Sequence, residues 1–479
     1  MIARRALLAA VPALLAAPGL RAQTVAMRLD DQVAPGWRRG VLIRWGDRVT
    51  FDAPPFDPAR PSAAAAAAQF GWDARILAAI PTPAPDGVPR ALLAVGHPRV
   101  EARLAFPGGR DMPEVAGAMQ GASLLNIEKR GGAWLVVDGG YQNRRLTAAT
   151  LCRLGSDGGP ATGILGVTGG CATPWGSLLL AEGAAAAWRA RLPGIEPGTA
   201  GLVAELDPSD PVSVPVKRPA LGRFGAVDAA AALAADGRAV VWLSDGRPGG
   251  HLYRFVSDEA AGARALDAGR MWAARIEAGS LRWLPLPEGD PLAAARDAGA
   301  SRLDEPSGLA FEPRQGRLCV ALRGGAGQVL EIRAAAGDAA AETGVAEVLV
   351  QGREAVAPPS RDGAVPALPA WPWAPAALSF DGDGALLLAT DRGQRPGPLP
   401  EMLFRVPVEG ADRGRPAFVL AAPVGAAMGG AALVPDGALL AAVAHPGNTP
   451  GATWEAPATR WPTLRPEEPP RSTVVTLAR

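Results

Sequence analysis

The sequence is poor in the residues that most often carry chemistry. Three histidines occur (His97, His251 and His445) and three cysteines (Cys152, Cys171 and Cys319). No HExxH, CxxC or other zinc spacing can be assembled from them. A Gly-x-Ser-x-Gly elbow and a P-loop are also missing, which removes two common hydrolase designs. Three cysteines are too few for a disulfide scaffold, although a Cys152–Cys171 bridge stays open. Lysine is nearly absent, with only Lys129 and Lys217, so arginine carries almost all the positive charge. Neither sign dominates: Lys and Arg total 48, Asp and Glu 47. A net charge of +1 gives no electrostatic footprint for nucleic acid or an anionic membrane.

Long apolar runs are missing after the first two dozen residues. Arg4 and Arg5 precede the run Ala6 to Ala17, which breaks at Pro18-Gly19 and ends in Leu20-Arg21-Ala22. A charged start, a short apolar stretch and a small residue at a cleavage point make residues 1–22 an export signal. The run is too short to cross about 30 Å of hydrocarbon as a helix. The paired arginines suit the twin-arginine route, and a periplasmic or secreted location is expected. No low-complexity linker divides residues 23–479, so a single domain follows.

Turn residues are abundant, with 59 glycines and 48 prolines. The recurring unit is a turn pair followed by a short apolar run. Examples are Asp236-Gly-Arg-Ala-Val-Val-Trp242, Gln315-Gly-Arg-Leu-Cys-Val-Ala-Leu322, Asp383-Gly-Ala-Leu-Leu-Leu-Ala389 and Asp436-Gly-Ala-Leu-Leu-Ala-Ala-Val443. Each pair supplies a tight turn, and each run reads as a strand buried on both faces. The spacing suits one four-stranded propeller blade plus a loop. A series of β-sandwiches is the alternative. Ala63 to Ala68 reads as a helical turn or loop, and Thr449 to Arg471 as an ordered surface excursion. Ser472 to Leu477 reads as a last strand able to complete a blade begun near the N-terminus.

Several stretches then resemble the PhoX-type alkaline phosphatases. They include Val41-Leu-Ile-Arg-Trp-Gly-Asp47, Phe51-Asp-Ala-Pro-Pro-Phe-Asp57, Gln69-Phe-Gly71 and Asn143-Arg-Arg-Leu-Thr147. Thr173-Pro-Trp-Gly-Ser177 with Glu182 is similar to that family's metal segment. Pro215 to Phe224, His251 to Ser257, His445-Pro-Gly447 and Pro470-Arg471 match further landmarks, in the family's order. The resemblance implies an all-β, six-bladed propeller with loop and short-helix excursions. For active members it implies phosphomonoester hydrolysis at a cluster of ferric and calcium ions, which neutralise phosphate and supply a nucleophile.

Four segments depart from the family's pattern. After Leu221-Gly-Arg-Phe224 the family has a His-Glu pair, and here Gly225, Ala226 and Val227 follow. The family's Asp-Arg-Pro-Glu-Asp reads Asp304-Glu305-Pro306-Ser307-Gly308. Its Pro-Asp-Asn reads Pro375-Ala376-Ala377, and a later glutamate is Ala427. The metal candidates left are Cys171, Glu182, Asp245 and Asp391. For Cys171 the alternative is a small buried hydrophobe or half of a disulfide; for the acids it is an ordinary hydrogen-bonded or turn role. The histidines are expected to serve as structural hydrogen-bonding groups, and Trp175, Trp242, Trp272 and Trp283 as blade-core aromatics. The expectation is a monomeric, non-catalytic or altered propeller that binds a small molecule or phosphoester as an accessory protein. No cofactor is assigned; calcium and iron follow only if the family site survives. An active calcium- and iron-dependent phosphomonoesterase is the alternative, and a lactonase-like propeller with one calcium a third.

Overall fold

The computed structural model describes residues 23–356 and 367–479. The export signal predicted over 1–22 lies outside the described residues. Strands dominate and pair with sequence neighbours, in up-and-down sheets that each begin at a central axis. The six innermost strands are Arg75–Pro81, Gly169–Ala172, Asp228–Leu233, Pro306–Glu312, Pro375–Phe380 and Ala427–Leu433. Each packs beside the next, and Ala427–Leu433 returns to Arg75–Pro81, so the ring closes after six blades. The fold is a β-propeller. Blades three and four are also joined at their outer edges, where Ser280–Pro285 pairs with Thr343–Gln351.

All four turn-plus-strand repeats occupy the same place. Each becomes the second strand of its blade: Arg238–Ser244, Arg317–Leu322, Leu386–Thr390 and Leu439–Ala444. Second strands lie between neighbouring sheets and are almost wholly buried, so they carry no polar face. The remaining two blades use the same turn, with Asp86-Gly87 before Arg90–His97 and Trp175-Gly176 before Leu178–Ala181. In all six turns the glycine has φ between 59° and 90°, a left-handed conformation open to glycine at little cost.

Closure joins the two ends of the chain. Thr473–Ala478 lies between Leu439–Ala444 and Arg38–Arg44, antiparallel to both. Gln32–Val33 adds to the outer side of blade five, against Ala417–Ala421. The predicted final strand therefore completes a blade that starts near the N-terminus. The 449–471 stretch is ordered, but it is more than a surface excursion, because Trp461 is fully buried. Ala63–Ala66 is a single helical turn capped by Ser62. The other helices among the described residues span at most seven residues, and none is long and apolar enough to cross a membrane.

Candidate functional site in the propeller channel

Inner strands in this ring all start at one end of the axis, and second strands finish there. The residues opening each inner strand and closing each second strand therefore share a rim. A cavity of about 390 Å³ runs inward from that rim. Arg75, Arg99, Arg323 and Asp391 line its mouth, and Cys171, Asp228, Ser307 and Ala377 lie along its wall. The four departing segments converge here. Val227, Ser307, Gly308, Ala376 and Ala377 all line the cavity, and Ala427 opens the inner strand of blade six.

The mouth is an ionic network drawn from distant parts of the chain. Arg75 Nη2 donates to Asp391 Oδ2 at 2.6 Å, linking blade one to blade five. Arg99 Nε lies 3.3 Å from Asp73 Oδ2, and its Nη2 lies 3.0 Å from His445 Nε2 and 3.9 Å from Asp391. Arg323 Nε pairs with Glu305 at 2.9 Å, so the acid standing at the family's arginine position holds an arginine from the adjacent strand. Burial alone would raise the Asp391 carboxyl, but Arg75 and then Arg99 hold it well below the usual range. Burial and then the Arg99 charge hold the His445 imidazole below its ordinary value.

Asp228 is the second polar feature. Its Oδ1 accepts from the amides of Gly170 and Ala229, and its Oδ2 from Leu309, at 2.8 to 2.9 Å. One carboxyl thus ties the inner strands of blades two, three and four. Burial pushes it up to about 7, against those three amides. Cys171 lies nearby on the cavity wall, and burial with the Asp228 charge pushes its thiol up, away from the thiolate a metal would need.

Of the four predicted candidates, Cys171 and Asp391 reach the cavity. Glu182 does not line it; fully buried, it accepts from Lys217 Nζ at 2.8 Å and from the amides of Leu165 and Gly201. Burial raises its carboxyl against those partners. Asp245 is clamped by Arg247, with two contacts of 2.7 Å. All three cysteines are free thiols, so the open Cys152–Cys171 bridge is not formed. His97 bonds Ser123 Oγ at 2.7 Å and His251 meets the Ser301 carbonyl at 2.9 Å, both structural roles. Trp242 and Trp283 lie in one blade core with Trp272 against it, while Trp175 packs against another.

Among the described residues no group of three or more His, Cys, Asp or Glu side chains could hold a metal ion. Calcium takes about six to eight oxygens, and the carboxylates at this rim are already occupied by guanidinium or amide donors. These residues do not fit a cluster of ferric and calcium ions. Sequence reasoning missed Arg75, Arg99, Arg323, Asp73 and Asp228. The available signal was positional: each stands at the start of an inner strand or just beyond the end of a second strand.

A model of the alkaline phosphatase PhoX family matches residues 21–447. No curated protein matches by sequence. Among solved structures, Pseudomonas fluorescens PhoX in complex with vanadate, a transition state analogue, is similar with a TM-score of 0.81 and 25% identity. That match covers 96% of this chain and 98% of the other. A streptogramin B lyase (TM-score 0.37, 9% identity) covers 92% of this chain and 97% of its own. A gluconolactonase from Xanthomonas campestris (TM-score 0.33, 14% identity) covers 88% and 98%.

Two outcomes follow from these pairs. Glu182→Gln leaves Lys217 charged and unpaired in the core and is expected to cost about 3–5 kcal/mol in urea unfolding. The double change Glu182→Leu with Lys217→Met should recover most of that loss, with bound metal unaltered; a stable Glu182→Gln protein with altered metal content would instead identify a ligand. Burial raises the Asp228 carboxyl from its ordinary 3.8 to about 7, so the folded state binds more protons between about pH 4 and 7 and this group's contribution to stability falls as pH rises through that window. Asp228→Asn should lower stability by about 1–3 kcal/mol, through a poorly satisfied Leu309 amide, and flatten the pH dependence. Urea midpoints at pH 4.5 and 7.5 check this, and identical pH slopes for the two proteins would refute it.

Proposed function

Because the chain belongs to the alkaline phosphatase PhoX family, we propose that it is a divergent member whose channel binds a small anion on arginine side chains instead of holding the family's metal cluster. The supporting observation is the Arg75–Asp391 contact at the rim, with Arg99 and Arg323 beside it. A cation drawn to Asp391 would meet these guanidinium groups within a few ångströms. At about 4 Å and an effective dielectric near 20, each unit of like charge opposes it by about 4 kcal/mol. Only one or two of the five N–H donors on each of the three arginines are engaged by protein partners. Their side chains are 12, 35 and 33% exposed for Arg75, Arg99 and Arg323, which leaves donors for a ligand. Binding without hydrolysis is part of this proposal, because among the described residues no group of three or more His, Cys, Asp or Glu side chains is placed to hold the family's ions.

Metal analysis and a phosphatase assay test this. The purified mature protein should contain far less than one iron per chain and leave a chromogenic phosphomonoester intact with added Ca²⁺. Stoichiometric iron together with turnover would overturn the proposal and restore the phosphomonoesterase alternative.

Export by the twin-arginine route belongs to the same proposal, on the strength of Arg4, Arg5 and the apolar run behind them. N-terminal sequencing of the periplasmic fraction should place the mature start near Gln23, and Arg4→Lys with Arg5→Lys should retain the precursor inside the cell. Normal export of that variant would rule the route out.

A further inference from the structure

The cavity continues well beyond the arginines. In blade four Pro306 lies opposite Leu322 and Phe311 opposite Leu318, so Arg323 sits at the rim and Phe311 at the far end. Blade five repeats this, with Pro375 opposite Thr390, next to Asp391, and Phe380 opposite Leu386. Five residues at roughly 3.3 Å each make the channel about 17 Å deep. Phe311 and Phe380 both line the same cavity as the arginines.

Below the rim the wall side chains are apolar or already satisfied. Ile76, Leu309, Leu378 and a run of alanines and glycines supply most of the surface. Asp228, which opens the blade-three inner strand, is the one further charged side chain lining the cavity among the described residues, and both its oxygens accept backbone amides. The hydroxyls are also taken. Thr168 Oγ1 donates to the Val227 carbonyl at 2.8 Å, Ser379 Oγ to Ala431 at 2.7 Å, and Ser307 Oγ to backbone carbonyls at 3.3 and 3.4 Å. A sugar phosphate or nucleotide would bury hydroxyls there without side-chain partners, at a cost for each unpaired group. An unbranched hydrocarbon chain makes no such demand and gains from leaving water.

Resting on the anion-binding function above, we propose that the ligand is an anionic amphiphile. Its headgroup lies on Arg75, Arg99 and Arg323, and its linear apolar chain runs down the channel over Ile76, Leu309 and Leu378 toward the two phenylalanines. Carboxylate and phosphate heads share the chemistry that the arginines recognise.

Calorimetric titration of the mature protein tests this with alkyl carboxylates and alkyl phosphates of four to twelve carbons, kept below micelle formation. Acetate, inorganic phosphate and decan-1-ol are the controls. Affinity should rise by about threefold to fourfold per methylene and level off once the chain fills the channel. The short anions should bind weakly and the alcohol more weakly than decanoate. Whichever series binds more tightly at equal length identifies the head. Arg323→Gln should weaken every anion by a similar factor and leave the dependence on chain length unchanged, with its thermal melt reporting that it folds. If inorganic phosphate binds and butyl and decyl phosphates bind no tighter, the amphiphile proposal fails while the anion site stands. If decan-1-ol matches decanoate, the head assignment fails. If no anion of any length binds, the anion-binding function itself is wrong.

Discussion

A closed ring of sheets leaves the chain little freedom about where its strand ends fall. Six blades meet at one axis, and every inner strand starts on the same side of it. That orientation gathers residues hundreds of positions apart onto one small rim. Arg75 and Asp391 are separated by 316 positions, and Arg99 and His445 by 346. Nothing holds this rim together unless the ring closes, and closure depends on Thr473–Ala478 pairing with Arg38–Arg44. The last strand of the chain is therefore a condition for the site, although it lines no part of it.

Electrostatics then decides what the rim can receive. In a low-dielectric enclosure a carboxylate persists only with donors or counter-charges, and a metal cluster needs many carboxylates turned toward one point. Here the acids face inward to protein partners: Asp391 to Arg75, Glu305 to Arg323, and Asp228 to three backbone amides. The buried Lys217–Glu182 pair shows the same economy of charge within blade two. What is left facing the cavity is guanidinium beside Asp391 at the mouth and mostly apolar side chains below.

The architecture was legible wherever the repeat was strong. Four turn-and-strand copies were visible because Asp-Gly or Gln-Gly stands at most one residue before a short apolar run. The fifth, at Asp86-Gly87, was hidden because Val88 and Pro89 intervene before the strand begins at Arg90. The sixth, at Trp175-Gly176, was hidden by the missing turn aspartate and a strand only four residues long. The site was legible in half. Of the four candidates, Cys171 and Asp391 line the cavity, whereas Glu182 pairs with a lysine 35 positions away, which local pattern does not reveal, and Asp245 with Arg247, two positions on.

Local sequence by itself determined the second strands, their glycine turns and the last strand, because each rests on residues adjacent in the chain. Which charges meet at the rim was decided only by tertiary structure. An arginine opening the first inner strand becomes the counter-ion of an aspartate four blades on through ring closure alone, and Coulomb energy depends on distance in space, about which sequence separation says nothing.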